Sequence, residues 1–298
     1  LNLTDRGSKV KLLSYPCWLG AKRADRHPST QDYQLVLRRA FTEWGLPDQL
    51  AVDRDSVLFD NTHKSPFPTR LHLWLLALGV ELVLGPPHCP TVRGTIERSH
   101  QTWYHQVLEG QSFPTWLHLQ AALDRRRDFL NLQLPCASLG NLPPLVACPE
   151  ARRPRRPYRP EWERDLLDVG RIYTYLKEGR WFRQVDIRGI LGLGQHRYRV
   201  GRSWAGAEID ITFDPTGHQL VFRVANGQVR TSPLVGIEPS DLMGEASPLS
   251  HFDHLQLALP LTQSEERLLR LCETLAATKL MRLSRGDRLL LAGGYGGL

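Results

Sequence analysis

The sequence predicts an α/β domain, followed by a small all-β domain and a helical tail. Between positions 50 and 106, apolar runs follow the order strand, helix, strand, loop, helix, which is typical of α/β proteins. Between positions 181 and 224, short alternating segments are separated by turn-forming residues, which favours an all-β unit. A stretch rich in proline and arginine lies between the two patterns. The chain therefore divides into differently built parts.

The composition of the 298 residues allows more than one domain and favours an anionic partner. Hydrophobic residues make up 41%, and the net charge is +7 with a pI of about 9.3. No apolar run approaches the roughly 18 residues of a membrane span. The cysteines show no CxxC spacing, so neither a zinc site nor a disulfide framework is indicated and a reducing setting is favoured. They are Cys17, Cys89, Cys136, Cys148 and Cys272.

The first 53 residues predict two strands, a helix and a third strand. Leu1 to Thr4 and Lys9 to Tyr15 alternate as strands around the turn-forming tetrad Asp5-Arg6-Gly7-Ser8. Residues 30–44 carry an apolar helical face, with Thr30 as the expected cap. Residues 50–52 predict a short buried strand that ends at Asp53.

A second helix, a strand and a long loop follow. Leucines between positions 71 and 78 form an apolar helical run, and Gly79 is well placed to end it. Val80 to Leu84 predicts a strand, and three prolines between positions 86 and 90 then require a loop. Residues 91–106 predict the next helix, with Glu97 one turn from its start.

Two carboxylates stand out by their setting on this scaffold. Asp53 lies at a strand end and Glu97 lies early on a helix, with a helix and a strand between them. Carboxylates brought together in such a fold suit hard divalent cations such as Mg²⁺ or Mn²⁺. Because a glutamate in a first helical turn also complements the helix dipole, Glu97 has a purely structural interpretation as well.

The segments VDRDS, LALGVEL and PPHCPTVRGTIERSHQTW resemble the catalytic core of DDE transposases and retroviral integrases. The most specific part is Gly-x-Ile-Glu-Arg-x-His-x-Thr at residues 94–102, and the resemblance extends over roughly residues 1–240. It implies an RNase H-like core that is incomplete at its N-terminus, with Asp53 and Glu97 as catalytic ligands of Mg²⁺ or Mn²⁺. One departure is that the usual Asp-Asn-Gly reads Asp53-Arg54-Asp55.

The resemblance places a first catalytic aspartate on a strand that would precede Leu1. We therefore expect this chain to lack that residue and to be inactive, or nearly so, by itself. A competing interpretation makes Asp5 the first ligand, although the tetrad that begins at Asp5 fits a turn better.

Several polar residues are candidate DNA contacts. The resemblance implies that the helix bearing Glu97 lies along DNA, which makes Arg98 and Gln101 candidates. Arginines clustered around Tyr158 favour contact with phosphates, because extended basic segments can neutralise a nucleic-acid backbone without a fold of their own. Arg183, on a predicted strand, is a further candidate. The clustered arginines are Arg152, Arg153, Arg155, Arg156 and Arg159.

We predict four parts: a catalytic core at residues 1–134, a Pro/Arg-rich linker with a short helix at 135–170, a small β-barrel at 171–240, and a linker with a C-terminal helix at 241–298. An amphipathic helix at residues 117–132 should pack on the sheet and close the core. The segments GRWFRQV, GILGLGQHRYRVG and FDPTG, within residues 179–217, resemble the small C-terminal barrel of Mu-type transposases and integrases. A capping-box pattern at residues 262–265 begins the last helix.

The resemblance implies metal-dependent DNA cleavage and strand transfer by a transposase or integrase. Transposon-end and target DNA would be the partners, with a homo-oligomer formed on DNA, and a partner ATPase stays open. The expected location is the bacterial cytoplasm, on the nucleoid. A non-catalytic DNA-binding protein derived from a transposase is the alternative, and a hydrolase of RNA or DNA–RNA hybrids is a third class.

Overall fold

The computed structural model describes residues 1–17, 28–52, 56–60, 63–85, 101 and 104–244. The chain separates into two compact units. Unit 1 consists of Leu1–Pro16, Ile96–Pro149 and Glu245–Leu298, and unit 2 consists of Cys17–Thr95 and Glu150–Gly244. Each unit therefore draws on distant stretches of the sequence.

The described residues form a mixed α/β structure with several small sheets. The strands are β1 (Asn2–Thr4), β2 (Lys11–Ser14), β3 (Gln49–Val52), β4 (Glu81–Leu84), β5 (Arg180–Gln184), β6 (Ile190–Leu193), β7 (His196–Arg199), β8 (Glu208–Asp214), β9 (Gln219–Arg223) and β10 (Val229–Pro233). The α-helices are α1 (Thr30–Trp44), α2 (Arg70–Ala77), α3 (Trp116–Leu132), α4 (Pro144–Ala147), α5 (Glu163–Leu166), α6 (Val169–Lys177) and α7 (Pro239–Met243). Shorter turns of helix are the π-helix Tyr104–Leu108 and the 3₁₀ segments Ala137–Leu139, Pro149–Arg152, Pro160–Trp162 and Arg202–Trp204.

In unit 1, the predicted N-terminal hairpin is confirmed. β1 and β2 pair antiparallel with Asn2 opposite Ser14, and the register shifts after Leu3. Helix α3 packs on this hairpin, and two of its side chains form hydrogen bonds with backbone groups of β2. The side chain of Asn131 accepts a hydrogen bond from the backbone N–H of Lys11 at 2.8 Å and donates one to the backbone carbonyl of Lys11 at 2.9 Å. The side chain of Gln120 donates to the backbone carbonyl of Ser14 at 3.1 Å.

In unit 2, the predicted order of α1, β3, α2 and β4 is confirmed, with two corrections. Strands β3 and β4 pair parallel, but β3 is not buried, because its residues alternate between exposed and half-buried and it pairs only with β4 in the described part of the chain. The cap of α1 is Ser29 and not Thr30. Ser29 and Asp32 form a reciprocal capping box, which satisfies the first backbone N–H groups.

The core of unit 2 contains a buried carboxylate, Glu163, at the start of α5. Its side chain is 1% exposed and accepts two hydrogen bonds from the Arg38 guanidinium of α1, at 2.6 and 2.7 Å. It also accepts from the indole of Trp74 on α2 at 2.8 Å and from the hydroxyl of Tyr158. Phe41 completes the packing between the Trp74 and Tyr158 rings. We call these five residues the Glu163 cluster.

Residues 133–160 are not an extended linker throughout. They contain α4 and two 3₁₀ segments, and Leu145 and Tyr158 are buried. The expected short helix after position 160 is present as α5, but the sequence pattern missed α6, which follows directly. Asp168 caps α6 by accepting from the backbone N–H of Gly170 at 2.8 Å.

The predicted β-rich region is confirmed as strands, but no closed barrel forms. The four longer strands make an open antiparallel sheet in the order β10-β9-β8-β5, and β6 and β7 form a separate hairpin. The outward edge of β5 is already occupied. The backbone N–H of Phe182 donates to Ser65 Oγ at 2.8 Å, and its carbonyl accepts from Arg183 at 2.8 Å. Because those edge groups are satisfied, they are not available to a closing strand.

We expect Glu163→Gln to lower the free energy of unfolding by about 3 kcal/mol, because it leaves the half-buried Arg38 charge without its partner. Urea denaturation measures the change. Glu161→Gln, at an exposed carboxylate two positions earlier, is the matched control and should stay within about 0.5 kcal/mol. Equal stability of both variants would contradict the role of the cluster.

The effect of Glu163 should also depend on pH. Burial acts to raise the pKa of Glu163, but the hydrogen bonds and charge of Arg38 outweigh it and hold the pKa below its ordinary 4.5. The stabilisation is therefore complete above pH 4.5 and is lost as the pH falls through the lowered folded value. The difference in stability between the wild type and Glu163→Gln should shrink over that acid range.

Candidate functional site

The parallel pair β3–β4 is the described part of unit 2 that directly precedes Asp53 in the sequence. The backbone N–H of Gly85, just after β4, donates to the Val52 carbonyl at 3.0 Å, which aligns the carboxyl ends of both strands. Asp53 is the next residue after β3 in the sequence. Ligands in open α/β sheets bind outside the carboxyl ends of strands.

Asp53, Glu97 and Arg98 themselves lie outside the described residues. Their roles therefore remain the predictions made from the sequence. Gln101 is described and is an exposed helical residue, as a DNA contact requires. The predicted helix at 91–106 is described only at its end, where Tyr104–Leu108 continues as a π-helix.

Asp5, the alternative first ligand, is held by its own turn. Its carboxylate accepts from the backbone N–H of Ser8 at 2.8 Å and from the Ser8 hydroxyl. Burial acts to raise the pKa of Asp5, but the Ser8 hydrogen bonds outweigh it and lower the pKa. These contacts account for the turn that begins at Asp5. The role of Asp5 as a metal ligand stays a prediction from the sequence.

A divalent cation would take its ligands from Asp53 and Glu97. Their oxygens are the hard donors that Mg²⁺ and Mn²⁺ prefer, so the chemistry of the donor set fits the cation. Among the residues that the structure describes, no group of three or more His, Cys, Asp or Glu side chains could hold a metal ion.

The arginine-rich segment presents most of its guanidinium groups outward. Arg152 and Arg153 are exposed, and within the described residues their side chains have no hydrogen-bond or ion-pair partner. Arg155 is exposed and pairs with Asp48 at 2.9 Å. Arg159 is exposed and lies over the Trp162 ring, 5.1 Å from its centre. The buried Tyr158 beside Arg159 fixes this segment to the unit 2 core.

Two of the predicted DNA contacts instead serve the protein interior. Arg156 donates to the carbonyls of Leu78 at 2.5 Å, Gly79 at 2.9 Å and Pro47 at 2.9 Å, so it caps the C-terminal end of α2. Arg183 is 3% exposed and ion-pairs with Asp60 at 3.5 Å. A guanidinium held in this way would have to give up these contacts to bind a phosphate, which makes Arg156 and Arg183 weaker candidates than the exposed arginines.

Residues 78–144 match a family model described as an integrase core domain. The matched segment begins at the end of α2, includes β4, Glu97, Gln101 and α3, and stops at Pro144. It covers well under half of the chain, and Asp53 precedes it. The match supports an integrase- or transposase-type catalytic core in this part of the protein, and with it a role in DNA recombination.

The search for membrane-spanning segments covered the described residues. Within them, no helix combines the length and the apolar character needed to cross a bilayer.

The Glu163 cluster was missed by reasoning from the sequence. Its members come from four separate segments, and Arg38 and Glu163 are 125 positions apart. Glu163 has the local appearance of an ordinary acidic residue in a first helical turn. Its neighbour Tyr158 was noted only as the centre of the arginine cluster, so no local signal identified either as buried.

We expect Arg156→Ala to destabilise the protein by about 2 kcal/mol, because three carbonyl groups lose a charged donor. Thermal or urea unfolding measures the loss. Arg152→Ala removes the same charge from an exposed position in the same segment and should change stability by less than about 0.5 kcal/mol. Identical unfolding of both variants would show that the contacts of Arg156 contribute nothing.

Proposed function

We propose that the protein is a transposase- or integrase-type DNA recombinase that cleaves DNA strands and joins them to a target. The observation that carries the proposal is the match of residues 78–144 to an integrase core domain, because that segment contains Glu97 and its surrounding motif. The parallel pair β3–β4, with Asp53 directly after β3 in the sequence, and the exposed arginines are consistent with this proposal. An RNase H-like arrangement of the core belongs to this proposal.

The proposed chemistry is two successive phosphoryl transfers. In cleavage, a water oxygen forms a bond to a backbone phosphorus while the P–O3′ bond breaks, and the released 3′ oxygen takes up a proton. In joining, that 3′-hydroxyl attacks a target phosphodiester and displaces another 3′ oxygen. Asp53 and Glu97 would hold divalent cations, which supply stabilisation of the attacking and leaving oxygens when bound. No serine or tyrosine nucleophile is needed.

The side chains of the protein would mainly bind and orient DNA. Gln101 follows Glu97 by one helical turn and is exposed, so it is placed to contact the strand being processed. Arg152, Arg153, Arg155 and Arg159 would neutralise phosphates along an anchored segment. Their attachment to unit 2 through Tyr158 would lower the entropic cost of binding.

A non-catalytic DNA-binding protein is the second candidate, favoured by the exposed basic segment. It would use the same arginines and would need neither Asp53 nor Glu97. The two candidates therefore differ in what the loss of one carboxylate does.

We expect Glu97→Gln and Asp53→Asn, each in the full-length gene product, to lower magnesium-dependent strand joining by roughly a thousandfold. DNA binding should be retained, because neither change removes a basic side chain that contacts phosphates. Glu81→Gln is the matched control, since Glu81 is an exposed carboxylate on β4 bonded to Gln49 at 2.7 Å. Joining should persist in that variant. Unchanged joining by Glu97→Gln would favour the non-catalytic candidate.

We expect the double variant Arg152→Ala/Arg153→Ala to weaken DNA binding and to reduce its dependence on salt. Each lost phosphate contact should reduce the slope of log affinity against log salt by about 0.9. Arg125→Ala, at an exposed arginine on α3, controls for the general loss of charge and should leave the slope nearly unchanged. A double variant with the wild-type slope would exclude this segment from the DNA interface.

A further inference from the structure

The turn between β5 and β6 holds an apolar side chain out in solvent. Ile187 is 88% exposed, which makes it the most exposed of the large hydrophobic residues in the described part of the chain. Isoleucine is among the residues most often buried in folded proteins. An isoleucine with almost no intramolecular packing gives little stability, so its position calls for another explanation.

The turn that carries Ile187 is rigidly built. The Asp186 carboxylate accepts from the backbone N–H groups of Arg188 at 2.9 Å and Ile190 at 2.8 Å. The Gly189 N–H donates to the Asp186 carbonyl at 2.9 Å, and the Gly189 carbonyl accepts from Val200 at 2.9 Å. The side chain of Ile187 is thus presented by an ordered backbone, which lowers the entropy lost on binding.

Close packing holds the turn against the chain that follows β7. Gly189 has φ +78, and a Cβ there would lie 2.2 Å from the carbonyl carbon of Gly201 and 2.4 Å from the backbone nitrogen of Arg202. Only glycine fits this approach. The contact brings Arg202 beside the turn, and the pairing of β6 with β7 places Arg199 opposite Ile190.

The surroundings of the tip are basic. Arg199 and Arg202 are exposed, and in the described regions neither side chain has a hydrogen bond or ion pair. Arg188 is also exposed and contacts Asp186 at 3.3 Å. The Asp186 carboxylate is already used within the turn, and the nearest other carboxylate along the β5–β8 pairing is Glu208, opposite Gln184. The elements that adjoin the turn therefore carry three exposed arginines, of which Arg188 contacts Asp186.

We propose that Ile187 is an apolar wedge that enters the minor groove of duplex DNA, while Arg188, Arg199 and Arg202 contact the flanking phosphates. This inference rests on the proposed DNA-processing function and names a contact surface within it. Proteins that bend DNA commonly insert an isoleucine, leucine or similar side chain between base steps and hold the backbone with cationic residues. Unpaired guanidinium groups around the tip are complementary to phosphates.

The test compares binding of a short mixed-sequence duplex by the wild-type protein, Ile187→Ser and Ile187→Leu across a series of salt concentrations. Ile187→Ser should bind about tenfold more weakly, because the buried area of one aliphatic side chain is lost. Its salt slope should equal that of the wild type, because no cation is removed. Ile187→Leu should keep most of the affinity. Val146→Ser, at another exposed aliphatic position, is the matched control and should bind normally.

Two further measurements separate the ionic contribution of the arginines from the apolar contribution of Ile187. Arg199→Ala should reduce the salt slope by about 0.9, the opposite pattern to Ile187→Ser. Energy transfer between dyes at the duplex ends should report bending by the wild type that Ile187→Ser loses and Ile187→Leu retains.

The outcomes also distinguish this inference from the proposed function. If the wild type binds and bends the duplex but Ile187→Ser does so equally well, the wedge is wrong and DNA binding stands. If the wild type does not bind duplex DNA at all, both are overturned. If Ile187→Ser changes only the oligomeric state in solution, the tip is a contact between copies and the wedge is again wrong.

Discussion

One buried carboxylate ties together the part of the molecule that carries β3 and β4. Glu163 receives hydrogen bonds from Arg38 on α1, Trp74 on α2 and Tyr158 before α5. A carboxylate at 1% exposure is costly to bury unless its charge is matched, and here a guanidinium and two neutral donors satisfy it. The two helices connected by Glu163 also lead into β3 and β4, so the placement of this parallel pair depends on the cluster.

The need to satisfy acceptors inside the protein also separates the arginines into two groups. Arg156 and Arg183 are bound to carbonyl groups or to a carboxylate inside the protein, whereas Arg152 and Arg153 face solvent. Arginines of identical charge thus have different roles, because an arginine close to an acceptor inside the protein forms its hydrogen bonds there. Net charge predicts an anionic partner, but it does not identify which arginine side chains are available to that partner.

In the β-rich part of unit 2, side chains occupy the outer edge of strand β5. Ser65 and Arg183 satisfy the outward backbone groups of β5, and the sheet remains open. The β6–β7 hairpin is a separate two-stranded sheet; the turn that carries Ile187 precedes β6, and Arg199 on β7 is exposed. The proposed DNA contact at Ile187 therefore does not require a closed barrel.

The sequence by itself determined the elements whose signals are local. The turn that begins at Asp5, the end of α2 at Gly79 and the turn at residues 214–217 were predictable, because their hydrogen bonds join residues only a few positions apart. The family motif around Glu97 is likewise contiguous, and the integrase core match covers it. Only the tertiary structure decided that Arg156 is a helix cap and that Glu163 is buried. Those facts depend on partners tens of positions or more away, and no local pattern encodes such a pairing.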